Sequence, residues 1–318
     1  MSRISRYQES IDKFIKTKSS LKTVSSHNKE SIDVLVTEFD HLVAIILISI
    51  LNNRCRKSKL KFHGYYIASG IDIGLSISKI IDRYNYYKSK FNSNKINNFI
   101  PELVSLMYQS LSGNIDSLRL NVNVETTLKI NQYCINYLST KIGKLTSIEN
   151  ISSKNRIKKT DFYDYNFKSN KYREKYTNLK KIDNDKLFEY IEDKFGSICK
   201  ISLIFGWLLG IGDESEIPIL EKMGTNLGIM IKIGYDFENI DKDLEYCSTY
   251  THNILINLGI KECFEIFMDN KAEFVEGILK LKLWSTTIKE ILDLIEKKLN
   301  PVLNNSNFDE KFEYSDFN

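Results

Sequence analysis

The sequence predicts an all-α helical bundle. Helical periodicity runs through almost the whole chain, and only 3 Pro interrupt 318 residues. Two nearly all-apolar segments between Asp193 and Asp236 meet at a Gly-rich corner, Gly210-Ile211-Gly212-Asp213. A helix that is apolar on nearly every face must lie inside a larger helical body.

The elements follow in order. Residues 1–30 read as a first helix and a loose Ser/Lys/Thr linker, and Ser31 to Asn52 as a buried helix. Its apolar run, Leu42 to Leu51, is about half the roughly 20 residues of a membrane span, which predicts a core helix instead. Phe62 to Tyr87 is the next helix; Gly64, Gly70 and Gly74 on its path permit close packing. Asn98 to Arg119, with Pro101 near its first turn, and Val124 to Ile148 follow. From Asn150 to Lys186 the pattern stops. Eleven Lys/Arg stand there against five Asp/Glu, interleaved with Phe162, Tyr163, Tyr165, Phe167, Tyr172 and Tyr176. The segment reads as a solvated insertion, with polyanion or nucleic-acid binding as the other reading of such a mixture. Dense helix resumes at Leu187. Thr251 to Met268 and Ala272 to Leu299 are the last helices, the latter ending before Pro301. The Asn- and acid-rich tail from Asn304 is expected to be disordered, so the bundle spans 31–303.

Composition excludes several function classes. A hydrophobic share of 42% supports a sizeable core, and a net charge of +4 is only mildly basic. The five Cys show no CxxC spacing. Their odd number, with no apolar leader at the N-terminus, predicts reduced thiols and a cytoplasmic location. The four His form no metal-ligand pattern, and neither a P-loop nor a GxGxxG following a strand is present. Only three Ala occur, replaced by Ile, Lys, Asn and Ser, which points to an AT-rich genome such as that of a protozoan, an endosymbiont or a large DNA virus.

The site candidate is the end of the second apolar segment. Lys232, Tyr235, Asp236 and Asn239 appear abruptly on a helix that is otherwise buried, where charge is costly. Asp236 and Asn239 are three apart and share a face.

Leu227-Gly228, Ile231 to Asn239 and the upstream Lys194-Phe195-Gly196 together resemble the trans-isoprenyl diphosphate synthases, the polyprenyl synthetase family. There, a Lys-Thr-Gly opens one helix, and a later helix carries Leu-Gly, Phe-Gln and an Asp-Asp-x-x-Asp/Asn cluster. The spacing fits without gaps. Ile73 to Asp82 is similar to the family's first Asp-rich stretch, with Ser78 and Lys79 in place of two Asp and Asp82 retained. In the second cluster Tyr235 replaces an Asp, and Lys232 replaces the usual Gln. The family's Gly-Lys-x-x-Arg has no match; its place reads Glu38-Phe39-Asp40-His41, and a basic run from Arg54 to Lys61 offers another source of phosphate contacts. The Gln-Gly-x-x-x-Asp turn is replaced near Lys141-Ile142-Gly143-Lys144.

The resemblance implies an isoprenoid-synthase-type bundle around a central cavity and commonly a homodimer. It implies Mg²⁺ held by Asp82, Asp236 and Asn239, with Lys194, Lys232 and Tyr235 in catalytic positions. Isopentenyl and allylic diphosphates would lie against Ile73, Gly74, Ser78, Lys79, Lys194 and Lys232. The non-aromatic Ile73 and Gly74 at the pocket floor imply a product of twenty carbons or more. Hard cations on carboxylate oxygens are what a departing diphosphate requires. Lys79 would oppose a cation there, and a Lys79–Asp236 ion pair replacing the metal is one expectation; a solvent-facing Lys79 is the other.

Three readings stay open. An active synthase predicts Asp82 and Asp236 facing each other across an open cavity. A silent relative, acting as a partner subunit or as a binder of prenyl or phosphate ligands, predicts Lys79 or Lys232 plugging it. An unrelated helical interaction protein predicts no central cavity between those helices.

Overall fold

The computed structural model describes residues 2–18, 40–54, 58–91, 93–112, 115–120, 122–146 and 170–306. The described residues are helical with no extended strand. The helices are α1 (Arg3–Lys18), α2 (Leu42–Arg54), α3 (Ser58–Asp82), α4 (Tyr84–Lys90), α5 (Ser93–Ser112), α6 (Ile115–Arg119), α7 (Val124–Thr146), α8 (Asn170–Asn178) and α9 (Asn184–Ile191). A single π turn, Glu192–Gly196, joins α9 to α10 (Ser197–Leu209). After a short 3-10 turn come α11 (Ile217–Tyr246), α12 (Ile254–Leu258), α13 (Ile260–Lys280), α14 (Thr286–Lys297) and α15 (Asn300–Leu303).

The two all-apolar segments take the positions that their composition demands. Every residue of α10 is buried, as is α2 from Leu42 to Leu51. Helix α10 is the axis of the bundle, touching α2, α3, α7 and α11, while α5 packs outside α3 and α13 outside α11. The α10–α11 crossing is very close. A Cβ on Gly228 would lie 2.5 Å from the backbone of Gly196, so only glycine lets the π turn seat against α11. The corner between these helices is tight as well. Ile211 takes a φ of 61°, the Trp207 indole donates to the Asp213 carbonyl at 2.8 Å, and the Arg54 guanidinium stacks on Trp207 at 3.7 Å.

Several helix boundaries differ from the sequence expectation. The buried helix α2 starts at Leu42, after His41 at a φ of 58°; residues 31–39 lie outside the described residues. The expected Phe62–Tyr87 helix breaks at Arg83, whose side chain is drawn into the site described below. Pro101 is inside α5, not in its first turn, so the helix loses one backbone bond there. Burial of Ile96, Phe99, Ile100, Leu103 and Met107 carries it through. The expected Thr251–Met268 helix is interrupted by Gly259 at a φ of 92°. The expected Ala272–Leu299 helix breaks at Leu281, and Ser285 caps the new start by accepting from the Ile288 N–H at 3.3 Å.

Of the basic insertion, 147–169 lies outside the described residues; α8 forms in its second half. Among the described residues, no helix is long and apolar enough to cross a membrane.

Candidate functional site

The last turns of α3 and the second half of α11 face one another, and each brings charge to the contact. From α3 come Ser78, Lys79, Asp82 and, at the break, Arg83. From α11 come Lys232, Tyr235, Asp236, Asn239 and Asp243, spaced so that 232, 236 and 243 share a face.

Lys232 is the hub. Its side chain is 0% exposed, with Nζ 2.6 Å from Asp236 Oδ1 and 3.0 Å from Asp82 Oδ2. Burial works against its charge, but Asp236 and Asp82 outweigh burial and hold its pKa above the ordinary lysine value. Arg83 is the second internal cation, 6% exposed. Nε and Nη2 donate to Asp243 at 2.7 and 3.1 Å, and Nη2 also reaches the Tyr235 carbonyl at 3.2 Å and Asp236 at 3.4 Å. The guanidinium lies 3.8 Å from the centre of the Tyr235 ring, a cation–π contact.

The carboxylates have further partners. Asp236 Oδ2 accepts from the Ile254 N–H at 2.6 Å. Asn253 donates to the Asp236 carbonyl and to Asp243 at 3.1 and 2.7 Å, and Tyr190 donates to Asp82 at 3.2 Å. Burial pushes the Asp236 pKa up, to about 7, against the pull of Lys232. Asp82 goes the other way: burial opposes its ionisation, but Lys232 and Arg83 hold its pKa below the usual carboxylate range. For Tyr235, burial drives the phenol upward.

The remaining candidates stand elsewhere. The Asn239 amide donates to the Tyr235 carbonyl of its own helix at 2.8 Å, so that hydrogen bond engages it within α11. The expected Lys79–Asp236 pair is not formed, and Lys79 is not in solvent either. It is 7% exposed, 3.7 Å from Asp40 and 4.9 Å from the Tyr235 ring centre. Lys232 takes the place by Asp236 because it is one helical turn away on the same helix.

Lys194 is buried and donates to the carbonyls of Lys144 and Leu145, at the end of α7. There it caps carbonyls that the helix leaves unpaired and meets the negative end of the helix dipole. Asp193 beside it pairs with Lys141 and Lys144. Ser78 donates to the Lys194 carbonyl at 2.5 Å, tying α3 to the π turn. Ile73 is fully buried, and Gly74 packs directly on Ile198 and Met107, where an added Cβ would come within 2.7 and 3.1 Å.

Two cations therefore stand among three acidic side chains. These residues do not fit a divalent ion: an ammonium already stands at hydrogen-bond distance from both Asp82 and Asp236, the carboxylates that would hold one. No group of three or more metal-ligating side chains forms among the described residues. Sequence reasoning missed Arg83, Asp243, Asn253 and Tyr190. The signal for Asp243 was its seven-residue spacing from Asp236, two turns along the same face; nothing local marked Asn253 or Tyr190.

No protein-family model matches the sequence, and no curated protein does. Solved structures do match its fold. A geranyltransferase from Helicobacter pylori superposes with a TM-score of 0.61 at 15% identity, covering 94% of this chain and 99% of that one. The structure of that organism's geranyltransferase complexed with magnesium and isoprenyl diphosphate gives 0.60 at 16%, with 95% and 99% covered. An FPP/GFPP synthase from Zymomonas mobilis gives 0.54 at 12%, with 92% and 96% covered. The chain thus has the all-α isoprenyl synthase fold.

Proposed function

We propose that this chain is a catalytically silent protein built on the isoprenyl diphosphate synthase fold, serving as a binding or partner subunit. The observation that carries the reading is Lys232, fully buried between Asp82 and Asp236. A divalent ion 4 Å from that ammonium would meet a repulsion of about 8 kcal/mol at an effective dielectric of about 20. Lys232 is held charged by the same carboxylates that would bind the metal. Without the metal, the departing diphosphate loses its main stabilisation.

Two further features support this reading. The Lys194 ammonium is spent on α7 carbonyls, and the space beside Gly74 is filled by Ile198 and Met107.

The test is turnover. Purified protein is incubated with Mg²⁺, labelled isopentenyl diphosphate and each allylic diphosphate in turn, with Asp236→Ala as control. No extractable labelled product is expected. A product that forms with the native chain and vanishes in Asp236→Ala would overturn the proposal and restore Asp82 and Asp236 as metal ligands.

A further inference from the structure

The Lys232 cluster lies at one end of the bundle, and exposed apolar bulk gathers at the other. Among the described residues, the large hydrophobic side chains that stand in solvent are Phe62, Leu120, Val124, Leu128, Ile211 and Leu279. Single exposed hydrophobics are ordinary, but a common location for all of them is not.

Chain direction and contacts place them. Helix α3 runs from Ser58 to Asp82, so at about 1.5 Å per residue Phe62 is about 30 Å from the cluster. Gly64 beside it packs on Leu51, near the end of α2. Helix α11 starts at Ile217 and carries the cluster in its second half, and Ile211 is on the corner before that start. Lys129 of α7 pairs with Glu214 at 2.7 Å, which sets Leu120, Val124 and Leu128 on the same side of the bundle as that corner. Gly277 packs on Met223, in the second turn of α11, so Leu279 lies here too. The turn after it is tied to the end of α2, where Asn53 donates to the Leu283 carbonyl at 3.3 Å.

The corner is strained where it exposes its apolar residue. Ile211 is 62% exposed at a φ of 61°, a left-handed conformation that is an outlier for a β-branched residue and costs glycine nothing. Strain of this kind persists where the surroundings hold it, and it marks functional positions. Here Trp207 packs on Gly212, its indole bonds the Asp213 carbonyl, and Arg54 Nη2 donates to the Ile211 carbonyl at 3.5 Å.

Cations stand among the apolar residues. Arg54 ends α2, Lys59 and Lys61 fall in the first turn of α3, Arg119 ends α6, and Lys280 and Lys282 flank the end of α13. Of the acids at this end, Glu125 and Glu214 pair with Lys129, and Asp116, Asp213, Glu216 and Glu276 are fewer than these cations. The apolar side chains stand on or beside four separate helix connections. A protein partner is met by a continuous apolar core patch. Separate apolar anchors among Lys and Arg suit an anionic lipid surface, where anchors enter the acyl boundary and cations meet headgroups.

We infer that this end of the bundle docks peripherally on an anionic phospholipid surface, with Leu120, Ile211 and Leu279 as anchors. The inference goes beyond the proposed function and stands whichever way turnover falls.

The experiment is co-sedimentation of the full chain with vesicles of phosphatidylcholine alone and of equal parts phosphatidylcholine and phosphatidylserine. The chain has two Trp, and Trp207 and Trp284 belong to the two corners at this end. Quenching of their fluorescence by brominated phosphatidylcholine therefore reports which face docks. Saturable binding to the anionic vesicles is expected, with quenching, and it should weaken several-fold in high salt. A triple variant, Leu120→Ser, Ile211→Ser and Leu279→Ser, changes only exposed side chains; it should keep the native Tm and lose binding at least tenfold. Ile211→Gly, which takes the same φ without strain, should weaken binding several-fold without lowering Tm. No sedimentation with anionic vesicles, sedimentation without quenching, or unaltered binding in the triple variant would each overturn the inference. Self-association of the native chain that the triple variant abolishes would overturn it as well, and assign this end to a protein contact.

Discussion

Replacing Lys232 by Met removes a buried cation from between two carboxylates and leaves an apolar side chain of similar length. Taken alone, the contacts at 2.6 and 3.0 Å are worth about 6 and 5 kcal/mol at an effective dielectric of about 20. Desolvating the ammonium cancels much of that gain, and breaking a buried ion pair costs a net of about 3–5 kcal/mol. With about 2.1 cal/mol/K of unfolding entropy per residue, 4 kcal/mol lowers the Tm of a 318-residue chain by about 6 °C. The deficit should depend on pH. Asp236 already has a pKa raised to about 7, and without Lys232 it rises further. At pH 8 the variant must bury a carboxylate that has lost its nearest cation and keeps only Arg83 at 3.4 Å; as pH falls towards 5, protonation relieves it and the deficit shrinks. The assay is thermal and urea unfolding of native chain, Lys232→Met, Asp236→Asn and the double variant, at pH 5 and pH 8. The double variant should recover only part of the loss, because Asp236 no longer carries a charge but Asp82 still lacks the ammonium that stood 3.0 Å from it. If Lys232→Met unfolds with the native chain at both pH values, the cluster does not exist as described.

Other expectations follow from separate contacts. Gly228→Ala would push a methyl to 2.5 Å from the Gly196 backbone, which cannot swing aside; an overpacking loss of about 1–3 kcal/mol should appear in urea unfolding. Lys194→Met leaves the Lys144 and Leu145 carbonyls without their donor; a loss of about 1–3 kcal/mol is expected, with faster amide hydrogen exchange in the last turn of α7. His41 is held between Asp72 at 2.7 Å and Asp12 at 3.2 Å. Burial opposes its charge, but the two acids raise its pKa to about 9. Its contribution, about 3 kcal/mol, is therefore complete below pH 6.5 and is lost as pH rises towards 9; urea unfolding should show that fall, and His41→Gln should flatten it.

The fold was legible because its two central helices advertise burial on every face: Leu42–Leu51 and Ser197–Leu209 have no polar side on which to lie at the surface. Leu227-Gly228 and Lys194-Phe195-Gly196 were legible through their resemblance to the family's Leu-Gly and Lys-Thr-Gly motifs at matching spacing, and the structure brings the two together in the Gly196–Gly228 contact. Helix ends were harder to read. Gly259 and Ser285 stop or start helices inside stretches whose periodicity continues, since tertiary packing decides where the chain turns. At the site, the local pair Lys232–Asp236 lies within one helix turn and was within reach of the sequence. The opposition of Arg83 and Asp243 was not, because 160 residues separate them and only the packing of α3 on α11 brings them together.

A charge-balancing ion that is covalently part of the chain obeys different rules from one that is bound. A bound metal stabilises by mass action, in proportion to the logarithm of its free concentration, and a chelator withdraws it. The ammonium of Lys232 has no free concentration and no dissociated state while the helix stands. On the silent reading, its central acids are balanced from within the chain in metal-rich and metal-poor surroundings alike. On that reading, the arrival of a divalent ion is not a signal that the interior registers.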